Sequence, residues 1–134
     1  MHKLLIALVV LCAAGCVAHD ASTAFEVRGA STRLWPDVNA IVRSYARERG
    51  FRFLHGGSPG PSDYKTYDAN PPGRPYSTTL FVYRESDAVR LELIETGVSR
   101  PSARHRDIER DLKTRFEASG MRVSPTQPHT VVTF

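Results

Sequence analysis

Two stretches of this chain share a punctuation that few architectures accommodate: an amphipathic run, a glycine, then a short strand pattern. In the first, Val38, Ile41, Val42, Tyr45 and Ala46 recur at helical spacing and make one buried stripe. Pro36 suits the first helical position, where a missing N–H costs no hydrogen bond, and Asp37 is favourable at the positive end of the dipole. Arg47, Glu48, Arg49 and Gly50 form a basic last turn with a glycine stop, and residues 51–54 follow at once as a strand. In the second stretch Ser102 caps a helix whose core face is Ile108, Leu112 and Phe116. Gly120 ends it, and Met121, Arg122 and Val123 begin another strand. Positions 38, 42 and 46 fall on 108, 112 and 116 at an offset of 70, and Gly50-Phe51-Arg52-Phe53 falls on Gly120-Met121-Arg122-Val123. Duplication and generic helix–glycine–strand punctuation both account for the match.

The remaining strand signals fit between and around these units. Phe25 and Val27 alternate with Glu26 and are closed by Gly29. Residues 79–84 (TLFVYR) form a strong strand, Glu85-Ser86-Asp87 a hairpin turn, and residues 89–93 alternate apolar and charged, giving one buried and one wet face. Glu109 with Lys113 and Asp111 with Arg115 are oriented as helical i,i+4 pairs, and residues 130–134 supply a last apolar strand. A helix after a strand must cover one face of a sheet. The expected fold is therefore an α+β two-layer sandwich: an antiparallel or mixed sheet, two helices on one face, and an elaborated ferredoxin-like, βαβ-repeat topology.

Residues 56–77 form a different regime, with five prolines, four glycines and almost no aliphatic residue. Such a stretch is expected to be a long loop rather than a regular element. Tyr64, Tyr67 and Tyr76 sit in it with Arg74, and tyrosine and arginine dominate interface hot spots, so these four are candidate partner-binding residues. Residues 70–75 (NPPGRP) favour extended, partly pre-ordered chain, which lowers the entropic cost of binding. Arg43 and Arg47, one helical turn apart, are candidate contacts for an anionic surface.

The first sixteen residues address the protein. Lys3 is a short positive region, residues 4–11 are uninterruptedly apolar, and Ala13-Ala14-Gly15 precede Cys16. This order resembles the signal peptide and lipobox of bacterial lipoproteins, although Ala13 stands where the class usually has leucine. Small Gly15 before Cys16, against bulky Leu11 before Cys12, marks Cys16 as the modified residue. The resemblance implies removal of residues 1–15, then a diacylglycerol on the Cys16 sulfur and a third acyl chain on its nitrogen. No other cofactor is expected. Three chains would anchor the protein durably, since two already suffice. Val17, where an aspartate would signal inner-membrane retention in enteric lipoproteins, implies the outer membrane by the same analogy. Residues 16–24 then form a lipidated tether and residues 25–134 a single periplasmic domain. Cleavage after Ala18, leaving a soluble periplasmic protein, is the first competing outcome; an uncleaved membrane anchor is the second, but the apolar run through Ala18 falls short of the roughly 20 residues a span needs.

Removal of the signal leaves about 120 residues, one domain's worth. With Cys12 removed and Cys16 acylated no thiol remains for a disulfide, so stability rests on the core. The net charge of +4 arises from interleaved acids and bases, which reads as a solvated surface, and no nucleic-acid recognition motif is present.

Motifs for chemistry are sparse. Gly56-Gly57-Ser58-Pro59-Gly60 matches the nucleophile-elbow pattern literally, but Pro59 has no N–H for an oxyanion hole. His19, His55, His105 and His129 are scattered, with no metal-ligand spacing. His55 with Asp63 or Asp68 is the one acid–base pairing the sequence suggests, and it is a weak basis for a hydrolase. No catalytic residue and no metal site is therefore expected. The expected function is that of an outer-membrane-anchored periplasmic module that binds an envelope protein. The alternative is an inhibitor or immunity lipoprotein that neutralises an envelope-targeted toxin or hydrolase.

Overall fold

Apolar residues at two periods, helical and alternate, decide which surfaces meet in the core. A computed structural model describes residues 19–57, 63–70 and 78–128. The elements in chain order are β1 (Asp20–Arg28), α1 (Leu34–Arg49), β2 (Arg52–Gly57), β3 (Tyr64–Asp68), β4 (Thr78–Arg84), β5 (Val89–Thr96), α2 (Ala103–Ala118) and β6 (Arg122–Thr126). The strands make one antiparallel sheet in the order β2-β3-β4-β5-β1-β6. Register fixes the faces. Phe25 opposite Leu91, Leu80 opposite Leu93 and Val82 opposite Leu91 point at the helices, and their intervening neighbours point away. Val38, Val42 and Tyr45 of α1 and Ile108, Leu112 and Phe116 of α2 complete one core cluster with those strand residues. The fold is α+β, as expected, and the sheet is antiparallel rather than mixed.

Both helices end as their sequences dictate. Gly50 adopts φ 71°, which only glycine takes without strain, and the Phe51 N–H bonds to the Ala46 carbonyl at 2.8 Å. Ser102 Oγ accepts the His105 N–H at 3.2 Å, the cap that starts α2. Pro36 lies in the first turn, because α1 begins two residues earlier, at Leu34. The proline is still tolerated there, since first-turn N–H groups have no intrahelical partner. Glu109 and Lys113 pair at 2.7 Å as expected, but Asp111 and Arg115 do not. Asp111 instead takes Arg49 of α1 at 2.6 Å and the Tyr45 hydroxyl at 3.2 Å, and Arg115 pairs with Glu48 of α1. These pairs tie the helices together across their exposed seam. Burial pushes the Asp111 carboxyl up, but the hydrogen bonds from Arg49, Tyr45 and Arg110 outweigh it and hold it below the usual carboxylate range.

Three further expectations are corrected. β1 begins at Asp20, so residues 20–24 are strand rather than tether; their pairing with residues 92–96 of β5 stabilises them despite a weak local signal. The stretch 56–77 is not all loop, because β2 continues to Gly57 and β3 occupies Tyr64–Asp68 between β2 and β4. The sheet face away from the helices is also not wet throughout. Glu92 is 2% exposed there and accepts a hydrogen bond from Ser22 Oγ at 3.4 Å. The strand expected over residues 130–134 lies outside the described residues.

Candidate functional site

β2 and β3 extend the sheet past the helix that covers it, and this overhang makes a groove. Alternation along β3 sends Lys65 and Tyr67 to the helix side and Tyr64, Thr66 and Asp68 to the other. Phe53 of β2 is the cross-strand partner of Tyr67, with ring centroids 5.5 Å apart in an edge-to-face contact. Phe51, placed by the glycine stop, packs edge-on to Tyr45 at 5.6 Å, while the Arg104 guanidinium lies 5.8 Å from the Phe51 ring centroid. Arg43, Ala46 and Arg47 supply the opposite wall from α1. The result is an open cavity of about 370 Å³ lined by Arg43, Ala46, Arg47, Phe51, Phe53, Lys65 and Tyr67.

Its chemistry is apolar below and cationic at the rim. Phe53 is 54% exposed and Leu54 beside it 43%; these are the exposed large hydrophobic residues among those described. Burial pushes the Tyr67 hydroxyl above the usual phenol range, and the nearby Arg43 charge pulls it partly back. Most of the other cations are satisfied: Arg28, Arg49, Arg52, Arg84, Arg90, Arg110, Lys113 and Arg115 each hold a carboxylate. Arg43, Arg47 and Lys65 make no ion pair among the described residues. A rim of unneutralised cations over exposed aromatic carbon favours an anion joined to an apolar body.

The sequence candidates divide. Arg43, Arg47 and Tyr67 converge on the groove. Tyr64 does not. It faces the other side of the sheet, where it meets His55 at 5.6 Å and Tyr83 at 6.5 Å between centroids, and Tyr83 stacks on Phe81 at 5.8 Å. Tyr64 and Tyr67 are thus not neighbours on one loop but residues on opposite faces of one strand. Tyr67 is only 4% exposed, so it is groove floor rather than a protruding anchor. Cys16, Arg74 and Tyr76 lie outside the described residues. The suggested pairing of His55 with a loop acid is not formed, since Asp63 binds Arg84 and Asp68 binds Arg52, each at 3.1 Å.

A second constellation was not visible in the sequence. His105 is fully buried, its Nε2 2.7 Å from Thr23 Oγ1, and Thr23 in turn donates to Glu109 Oε2 at 2.8 Å. On the other side of the ring Nδ1 lies 3.5 Å from Glu95 Oε1, which also accepts the Ser102 N–H. A hydroxyl, a histidine and a carboxylate in this order have the outline of a nucleophile, a base and its orienter. Proton counting argues otherwise. The single Thr23 proton goes to the Glu109 carboxylate, so His105 Nε2 carries a hydrogen and donates to Thr23. The array therefore positions a donor against Thr23, not a base. Burial pushes the His105 pKa down, and the carboxylates of Glu95 and Glu109 only partly offset it. Burial raises the Glu109 carboxyl, but bonds from Lys113 and Thr23 prevail and hold it below its ordinary value. The partners of His105 come from β1 and β5, far from it or differently structured in sequence, and no spacing rule links them.

Among the described residues no group of three or more histidine, cysteine, aspartate or glutamate side chains is disposed to hold a metal ion. Nor is any helix among them long and apolar enough to cross a membrane. Comparison of the chain with models of protein families, with curated proteins and with solved structures finds no match.

Proposed function

We propose that this chain is an envelope lipoprotein, held in the outer membrane by acyl chains on Cys16, whose periplasmic α+β domain binds an envelope protein through the groove between α1 and β2–β3. The observation that carries the binding role is the convergence of three unneutralised cations, Arg43, Arg47 and Lys65, on a cavity floored by Phe51, Phe53 and Tyr67. The lipobox-like order before Cys16 carries the location. With β1 starting at Asp20, only residues 17–19 separate the cysteine from the sheet. That tether spans at most roughly 10 Å and holds the domain close to the bilayer. The frame is read as an elaborated ferredoxin-like sandwich. Setting β3 and β4 aside, the remaining order β2-β5-β1-β6 with a helix after β1 and after β5 follows that plan, and the hairpin widens the sheet to create the overhang.

Two measurements test this. Labelled fatty acid should incorporate into the protein and not into a Cys16→Ser variant, which should leave the membrane fraction. Crosslinking in intact cells followed by mass spectrometry should recover a partner with the wild type and lose it with Arg43→Glu/Arg47→Glu. An unlabelled protein would sink the anchor, and an unchanged partner list would sink the groove.

A further inference from the structure

The groove also specifies what its partner must present. We infer that it takes an acidic peptide segment with an aromatic anchor: a phenylalanine- or tyrosine-sized side chain set against Phe53 and Tyr67, flanked by carboxylates that meet Arg43, Arg47 and Lys65. This rests on the groove being the binding surface.

Charge complementarity selects the acids. Among the described residues the three rim cations make no ion pair while most other basic side chains hold carboxylates, and two of the three are arginines, whose planar forks match a carboxylate in two parallel hydrogen bonds. The floor selects the anchor. Phe53 is 54% exposed while already in edge-to-face contact with Tyr67, so it retains free aromatic surface for a third ring to pack against. The volume of about 370 Å³ lies at the small end of ligand sites and suits one anchoring side chain with its flanks. The edge of β2 argues against strand addition as the mode of binding. Its pairing with β3 shifts register between Phe53 and His55, and it ends in Gly56 and Gly57, so the edge is bent where a partner strand would have to lie flat. Recognition therefore runs through side chains.

The test is titration of the periplasmic domain, residues 17–134, with a blocked peptide Glu-Asp-Phe-Asp-Glu carrying a fluorophore on a flexible linker. Near-ultraviolet circular dichroism confirms that each variant is folded. The peptide should bind, and replacing its phenylalanine with alanine should weaken binding roughly ten- to hundredfold, as expected for one buried ring. Replacing the four acids with lysines should abolish binding to the wild type and restore it to Arg43→Glu/Arg47→Glu. Phe53→Ala should weaken the acidic peptide by about tenfold or more and leave the charge-reversal pattern intact. The inference is overturned if the alanine peptide binds as well as the phenylalanine peptide, if inorganic phosphate displaces the peptide at equal concentration, or if anionic phospholipid vesicles bind through the same residues while the peptide does not. A peptide that fails to bind, together with an in-cell partner still lost in Arg43→Glu/Arg47→Glu, overturns the anchor chemistry but leaves the groove as the binding surface. A bound peptide with an unchanged in-cell partner does the reverse.

Discussion

Phe53 and Tyr67 face each other across β2 and β3 with ring centroids 5.5 Å apart, yet Tyr67 is 4% exposed and Phe53 54%. One aromatic pair thus marks the line where the helix layer stops covering the sheet. Inside that line lies the core, and outside it lies the groove. β2 is held by its backbone pairing with β3, so the Phe53 side chain can be removed without removing the strand. Phe53→Ala should cost little stability, because the residue is already about half exposed, whereas Leu112→Ala, at a fully buried site, should cost about 2–5 kcal/mol. Urea unfolding of both variants checks the contrast.

β2 depends on Gly56. A Cβ there would meet the Tyr64 carbonyl oxygen at 2.9 Å, a backbone atom that cannot swing aside. Gly56→Ala should therefore push β2 away from β3 and destabilise the domain by about 1–3 kcal/mol. Amide exchange should rise in β2 and β3 and remain slow in β5 and α2. Uniform loss of protection, or none, would show that the close approach does not hold the edge strand.

The seam between the helices should matter much less than its density of charge suggests. Arg49–Asp111 and Arg115–Glu48 lie at the surface, where such pairs contribute at most about 1 kcal/mol and are screened by salt. Arg49→Ala should therefore shift the unfolding midpoint only slightly, and the shift should shrink further as sodium chloride is raised. A loss comparable to that of Leu112→Ala would mean that the seam, not the core, holds the helices together.

Acid should destabilise the fold through His105. Burial, the main cause, holds its pKa below the ordinary value, so the unfolded chain takes up a proton near pH 6.5 while the folded protein does not. Above about that pH the group has no effect on the balance; below it, stability falls until the folded-state pKa is reached. Glu109 and Asp111, held below their ordinary values, add a further loss at pH below about 4.5. His105→Gln keeps an N–H that can reach Thr23 but cannot titrate. Unfolding midpoints measured between about pH 7.5 and 5 should fall more steeply for the wild type than for this variant. Parallel slopes would remove His105 as the cause.

Much of the frame was legible because it is written locally. Helical spacing of Val38, Val42 and Tyr45, the Ser102 cap, the Gly50 and Gly120 stops and the alternation of residues 89–93 each depend on neighbours in sequence. The unpredicted parts are those decided by distant partners. Residues 20–24 are small and polar, with little strand propensity, and become strand because β5 and, at Ala24, β6 pair with them. Tyr64-Lys65-Thr66-Tyr67 has the composition of a strand but sits among prolines and glycines that mask the local signal, and its pairing with β2 and β4 decides its conformation. The groove was half legible. Arg43 and Arg47 stand out as a pair, but only the β2–β3 register brings Phe53, Lys65 and Tyr67 beneath them. His105 gave no signal, since it sits on α2 while Thr23 and Glu95 reach it from β1 and β5.

The most direct test of the central claim is site-specific photocrosslinking in intact cells, with the reactive group placed in turn at position 53 in the groove and position 81 on the opposite sheet face. A crosslink from position 53 to one envelope protein, absent from position 81 and lost when Arg43 and Arg47 are changed to glutamate, is the predicted result. Equal capture from both faces, or capture from position 81 alone, would contradict the groove as the binding surface.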